Sequence, residues 1–447
     1  MTFLSARARL FLDVLLAGVA LMVIARLATD FFNPTDLVAW KSDGEALAAC
    51  FAGANGGHCQ GLSKFPVAYL LNSLLSSGSE VRLALLNGAA LLLPVACLGL
   101  LGGWRLMLRG GAIYLLAIAL SPLPGFYVRS GALEVQAGVI SGIFMACLAR
   151  LLFDAIEAAP STGLRALLFV SGVLLPLYKD TVVSVLGVAV LVVWAARAYR
   201  GQGARWPSPA RLKLLARHAA LPVAVGLAIS LAYNVLRYDS LLPVGYMQEA
   251  AQTTPGLRQS AEFFFGSIMS PNGGVVIFWA LPLVVAVLGW RMRDLRAEPY
   301  AVALAAVAAL LSCIAFARWW APFGWDAWGD RLMIQPMLAV LVASLLSLRP
   351  VAPGARGAWL RSASVLFALP VLAASAYYML VPYIDGRGQA MQRSLWSGPE
   401  CEQMLHRLQT DAPAMGFSFW RTDDYYRCAR ERMLHVPSPT QHSMVKE

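Results

Sequence analysis

The chain has 447 residues, 58% of them hydrophobic and 14% charged, with a formal net charge of +11. A mean hydropathy of +0.62 exceeds what a soluble core under a polar surface carries, and apolar runs recur at lengths that suit a hydrocarbon layer about 30 Å thick. The runs are apolar all round and much longer than the alternating segments of a β-barrel, so composition predicts an all-α polytopic membrane protein and excludes a soluble globular one.

Apolar runs at 10–29, 81–103, 111–124, 132–153, 164–178, 181–198, 218–236, 274–290, 300–317, 332–348 and 361–382 predict about eleven transmembrane helices. The stretch 65–77 is too short and punctuated to cross and reads as a juxtamembrane or re-entrant helix. The first run follows Arg7 and Arg9, lacks a small-residue cleavage site and continues to Leu27, so it is expected to remain as a span. Residues 1–382 are expected to form the transmembrane domain, with 30–80 as a long first loop, and 383–447 a small polar C-terminal segment.

Counting Lys and Arg in the short loops orients the chain. With the N-terminus in the cytoplasm, the inside connections hold Arg105, Arg109, Arg150, Arg165, a cluster from Arg197 to Arg217, Arg291, Arg293, Arg296, Arg349, Arg356 and Arg361. An odd number of spans then puts the first loop and the tail after Pro382 in the periplasm of a bacterial inner membrane. Much of the positive charge is this inside-loop bias, and no separate basic domain points to nucleic acid.

The cysteines agree with that division. Cys97, Cys147 and Cys313 fall inside spans, whereas Cys50, Cys59, Cys401 and Cys428 fall in segments assigned outside, where disulfides persist. Cys50 with Cys59 and Cys401 with Cys428 are the expected pairs; four free thiols are the alternative. The C-x8-C spacing with His58 nearby is a poor zinc signature. Asp13, an acid about one turn into the first run, is expected to be an interfacial side chain rather than a proton relay.

Exterior charge is the unusual feature. Lys41, Lys64, Arg82, Arg129, Lys179, Arg237, Arg258, Arg318 and Arg331 lie there close to span ends, against the segregation that depletes such loops of cations. They either snorkel to lipid headgroups or converge on one anion. Their company differs along the chain: "SPLPGFYVRSGALEVQAG" sets Arg129 with Glu134, "LLPLYKDT" sets Lys179 beside Asp180, and "RWWAPFGWDAWGDRLMIQP" surrounds Asp326, Asp330 and Arg331 with tryptophans that include Trp325 and Trp328. Tryptophan anchors interfaces and also stacks on sugar rings, and carboxylates bind hydroxyls. A carboxylate in the first exterior loop, with cations and aromatic-acidic loops, supplies the parts for transferring a sugar from a phosphate leaving group.

The layout resembles the GT-C-fold membrane glycosyltransferases, which take a sugar from a polyprenyl phosphate on the outer face. The acidic residue that family members carry in a long first exterior loop is matched by Asp43 of "SDGEAL". In lipid-A aminoarabinose and related transferases a Lys-Pro-Pro-like stretch leads into an aromatic helix. "SKFPVAYLL", with Tyr69, resembles it and sets Lys64 on the phosphate-contacting lysine, although Ser63 and Phe65 depart from the pattern. "YNVLRYDSLLPVGY" is similar to an Asn-x-x-Arg-Phe-Gly-Ser-x-x-x-x-Gly-Tyr loop of mannosyl and arabinofuranosyl relatives. "SIMSPNGGVVIFWALP" and "WGDRLMIQPMLAVLV" are similar to their Ser-Pro-Gly and Trp-Gly-x-Arg approaches to a span.

The resemblance implies an inverting transfer with Asp43 as general base and Glu45 as helper, to a cell-envelope lipid, glycan or protein acceptor. Lys64, Lys179 and Arg331 would hold the donor phosphate, backed by Arg129 and Arg237. Glu134, Asp180, Trp325, Asp326, Trp328, Asp330, Tyr69 and His58 are the candidates for sugar or acceptor. Asp43 and Glu45 leave a divalent metal ion open as a cofactor, and Asp43 is also a good helix N-cap for "GEALAACF". A lipid-linked polysaccharide polymerase or ligase is the alternative, although its long loop comes late in the chain. A sugar or lipid transporter is a weaker one, for want of inverted halves and of acids at mid-membrane. No phosphate-loop, zinc-protease or esterase-elbow motif occurs.

Overall fold

The computed structural model describes residues 6–29, 67, 80–129, 133–153, 160–199, 208–244, 247, 256–269, 274–318, 330–351 and 372–373. The long helices are α1 (Ala6–Thr29), α2 (Glu80–Gly102), α3 (Trp104–Ala119), α5 (Leu133–Phe153), α6 (Thr162–Tyr178), α7 (Thr181–Tyr199), α8 (Pro209–Tyr238), α10 (Val275–Met292) and α11 (Pro299–Phe316). Shorter helices are α4 (Pro122–Arg129), α9 (Leu257–Met269) and α12 (Ile334–Leu346). A two-stranded ribbon pairs β1 (Leu295–Ala297) antiparallel to β2 (Leu348–Pro350), with Leu295 opposite Pro350.

Six helices among the described residues, in α2, α5, α7, α8, α10 and α11, are long and apolar enough to cross a membrane. Shorter apolar helices in α1, α6 and α12 join them. With α3 added, ten of the expected spans have a helix, and the eleventh, 361–382, lies outside the described residues apart from 372–373. The third differs from expectation. Instead of a span over 111–124, α3 begins at Trp104 and stops at Ala119, so Arg105 and Arg109 are helical, and Pro122 opens the separate helix α4. Proline at a first helical position with serine before it is a start signal, which makes 121–122 a break rather than the middle of a span.

The core is the crossing of α5 and α12. Every residue of α12 is buried, and only four residues of α5 (Leu133, Glu134, Arg150 and Leu152) are not. Gly138 and Gly142, one turn apart on α5, permit this. A Cβ on Gly138 would stand 2.9 Å from the Gln335 carbonyl oxygen, and one on Gly142 would stand 2.9 Å from that of Ala339. In lipid, where apolar contact alone does not favour helix association, such small-residue faces let backbones touch and gain dispersion and weak hydrogen bonds. Gly226 of α8 packs in the same way against the Val173 carbonyl of α6.

The helices run alternately, so their ends fall into two polar layers. In the first, arginines take up carbonyls that the helix ends leave without partners. Arg109 donates to Arg293 O, Arg150 to Leu346 O (2.6 Å) and Arg211 to Leu152 O (3.1 Å). Arg197 lies over the rings of Phe153 and Tyr300. Asp13 belongs to this layer but does not reach out to water: it is buried and pairs with Arg293 at 2.6 Å, because neutralisation is the cheaper way to keep a carboxylate at that depth. Cys97, Cys147 and Cys313 are buried free thiols; the four cysteines expected to form disulfides lie outside the described residues, as does the segment 383–447.

Candidate functional site

The second layer, at the opposite end of the helices, holds the exterior charges. Glu134 stands in the first turn of α5, where the positive end of the helix dipole favours a carboxylate. Lys179 and Asp180 make the whole of the connection between α6 and α7, and Lys179 caps α6 in extended conformation. Asn234 and Arg237 lie one turn apart on the last turns of α8. Asp330 and Arg331 lead into α12, and Phe316 ends α11.

These ends meet. The Arg331 Nε donates to Glu134 Oε1 at 3.1 Å, and its guanidinium lies 5.9 Å from the centre of the Tyr127 ring of α4. Arg237, buried, donates to the Asn234 amide oxygen at 2.8 Å and lies against the rings of Tyr233 and Tyr238, 5.1 and 4.4 Å from their centres. The Asn234 amide donates to the Leu241 carbonyl at 3.3 Å and lies near Asp180. Among the described residues Lys179 forms no ion pair. Its ammonium rests 4.8 Å from the centre of the Phe316 ring. Asp330, fully buried, accepts from the Met333 backbone N–H at 3.1 Å, which commits one oxygen to holding the start of α12. Arg331 thus pairs with Glu134, Lys179 lies near Glu134, Asp180 and Arg331, and Arg237 lies near Asp180, while Arg318 is bonded to Ser260 of α9.

Burial governs how these groups hold protons. Desolvation pulls Lys179 below the usual amine range and Arg331 pushes in the same direction, while Glu134 and Asp180 pull it back up. Desolvation pushes Asp180 above the usual carboxylate range, opposed by the Thr181 N–H, Arg237, Asn234 and Lys179.

Beneath the charges runs a buried chain of neutral hydrogen bonds. Tyr178 Oη donates to Gln136 Oε1 (2.8 Å), Gln136 Nε2 to Asn87 Oδ1 (2.8 Å), and Asn87 Nδ2 reaches the Tyr127 carbonyl at 3.5 Å. The chain joins α6, α5, α2 and α4, and its two ends are the residue before Lys179 and the residue whose ring faces Arg331. It therefore fixes the spacing of the two cations.

Of the residues singled out from the sequence, the structure brings Glu134, Lys179, Asp180, Arg237, Asp330 and Arg331 together. Arg129 is the last residue of α4, at the same end. Asp43, Glu45, His58, Lys64, Tyr69, Trp325, Asp326 and Trp328 lie outside the described residues. Among the described residues no group of three His, Cys, Asp or Glu side chains gathers that would hold a metal ion. The sequence reading missed Tyr127, Asn87, Gln136, Tyr178 and Phe316. Asn234 had a signal in the Asn-x-x-Arg spacing, which sets both side chains on one helix face; single polar residues inside apolar runs gave none.

No family profile and no curated protein sequence matches the chain. Its fold is similar to that of ArnT from Cupriavidus metallidurans in a crystal structure with bound undecaprenyl phosphate, with a TM-score of 0.51 at 16% identity, over 99% of this chain and 78% of that one. The crystal structure of that protein in the apo state matches at a TM-score of 0.43 and 17% identity, over 97% and 77%. The likeness is one of fold: the chain is a polytopic all-α membrane protein with the GT-C architecture expected from its sequence.

Proposed function

We propose that the chain is a membrane glycosyltransferase that takes a sugar from a polyprenyl-phosphate carrier, with the second polar layer as its carrier-phosphate site. The observation that carries this reading is Lys179. A desolvated ammonium without an ion-pair partner among the described residues, with Arg331 near it, is costly to keep unless an anion visits it. The fold agrees, since ArnT holds undecaprenyl phosphate in the structure it resembles. By the positive-inside rule the layer with Arg109, Arg150, Arg211 and Arg293 faces the cytoplasm, and the Lys179 layer faces the periplasm.

In this reading the acceptor hydroxyl oxygen attacks the anomeric carbon as the bond from that carbon to the phosphate oxygen breaks. The hydroxyl proton passes to the carboxylate of Asp43, with Glu45 beside it, and the electron pair of the broken bond leaves with the polyprenyl phosphate. Configuration inverts. Lys179 and Arg331, with Lys64 of the first loop, neutralise the charge that grows on the leaving phosphate, each worth about 2–4 kcal/mol if it acts as a preorganised oxyanion donor. Arg237 supports them through Asn234 and Asp180. The acceptor is a cell-envelope lipid, glycan or protein.

The test is transfer from a radiolabelled polyprenyl-phosphate sugar in membranes and nanodiscs, with wild type and Asp43→Asn compared. The reading requires turnover by wild type and a loss of about 10²-fold or more in a folded Asp43→Asn protein. Full activity in that variant would remove Asp43 as the base, and an inactive wild type across lipid, glycan and protein acceptors would count against the transferase reading.

A further inference from the structure

Resting on that reading, we propose that Glu134 is the specificity-determining residue of the carrier-phosphate site, a carboxylate that fills the phosphate's seat when the carrier is absent and is displaced when it binds. The seat has three parts. One is the Arg331 guanidinium, with Nε 3.1 Å from Glu134 Oε1. Another is the Lys179 ammonium, which is held over Phe316 rather than paired with an acid. The third is the first turn of α5, which carries Glu134 itself at the positive end of the helix dipole. Arginine, lysine and a helix N-terminus make a combination suited to phosphate oxygens. A carboxylate is a smaller anion of the same hydrogen-bonding kind. Glu134 and Arg331 keep side-chain exposures of 18% and 12%, with Glu134 Oε2 itself buried.

Charge balance gives Glu134 its consequence. Glu134 already occupies the Arg331 guanidinium, so an incoming phosphate meets a like charge at that arginine unless the carboxylate withdraws. Asp330 is fully buried and held by the Met333 N–H, and Asp180 sits in the two-residue turn beside Lys179 rather than on Arg331. Glu134, standing directly on Arg331 in the first turn of α5, is the carboxylate placed to withdraw. The sugar-bearing carrier is a phosphodiester with one charge, whereas the spent carrier is a monoester approaching two near neutral pH. Returning to its seat, Glu134 therefore opposes the spent carrier more than the loaded one and favours its release.

The sign of the effect separates this role from the others. Undecaprenyl phosphate titrated into the protein in nanodiscs should bind Glu134→Gln about tenfold more tightly than wild type, the order expected for removing one like charge in a partly screened site. Glu134→Asp, with its carboxylate drawn back from Arg331, should tighten binding by a smaller factor and covers the case in which the amide variant does not fold. Inhibition of transfer by added undecaprenyl phosphate should strengthen in Glu134→Gln more than KM for the sugar-bearing carrier falls. Unchanged carrier affinity would make Glu134 a ligand of sugar or acceptor, and weakened affinity would make it a structural anchor for Arg331. Either result overturns the proposal. Failure of the wild type itself to bind undecaprenyl phosphate would instead overturn the carrier-site reading on which the proposal rests.

Discussion

The ammonium of Lys179 lies 4.8 Å from the centre of the Phe316 ring, and the two residues come from the ends of helices α6 and α11. An aromatic face partly compensates a desolvated cation but does not neutralise it. Function and stability are therefore opposed at this position, as they are where a site is kept ready for a charged ligand.

Replacing Lys179 with Met tests that opposition. The variant keeps the contact with Phe316 and discards the buried charge, so the thermal midpoint of the carrier-free protein in detergent should rise by roughly 2 °C or more. Affinity for undecaprenyl phosphate should fall by at least about tenfold, as for loss of a charge-assisted hydrogen bond. A midpoint that drops together with unchanged affinity would mean that the ammonium serves only packing.

Asp180 predicts a pH dependence. Burial raises its proton affinity in the folded protein, so the folded state holds its proton to higher pH than the unfolded state does. Its contribution to stability is fully present below the unfolded value, about pH 4. It is lost as pH rises through the higher folded value. Thermal midpoints measured from roughly pH 4 to pH 7 should fall relative to those of Asp180→Asn as pH increases. Parallel curves would show that Asp180 is not the group responsible.

The chain from Tyr178 through Gln136 to Asn87 should behave as one unit. Tyr178→Phe deletes a buried 2.8 Å hydrogen bond and should cost about 1–2 kcal/mol of stability. Asn87→Ala acts on the same glutamine from its other side, so the double variant should cost measurably less than the sum of the two. Denaturation of the four proteins of this cycle supplies the numbers, and strict additivity would mean that the two bonds are independent.

Helix α8 ends at Asp239 with φ 55° and ψ 25°, the left-handed conformation. That is the position at which the motif resembled by "YNVLRYDS" carries glycine. Asp239→Gly should leave stability unchanged or raise it by up to about 1 kcal/mol, and Asp239→Val should lower it by about 1–2 kcal/mol. Thermal midpoints of the two variants check the sign.

Ten helices of the bundle were legible because the spans are long and apolar, a signal that survives without tertiary information. The boundary at Ser121 and Pro122 was not read, since an apolar run continues across it and only the pair of start residues marks the break. Lys179, Asp180, Glu134 and Arg331 stood out because charge is expensive at the rim of a span. That they converge depends on which helix ends lie side by side, and this in turn depends on the glycine faces of α5 and α8, whose residues look in sequence like any other small residues in lipid. Gln136 and Asn87 were hidden for a different reason: a neutral amide inside an apolar run has no visible partner until the helix carrying that partner is in position.

The proposed transfer stands or falls with a carrier phosphate at the Lys179 end of the bundle. Density from the protein in nanodiscs with undecaprenyl phosphate tests it most directly. The phosphate should lie within hydrogen-bond reach of the Lys179 ammonium and the Arg331 guanidinium, with the Glu134 carboxylate moved off Arg331. A phosphate bound at the opposite layer, beside Arg109 and Arg293, with Glu134 still on Arg331, would contradict it.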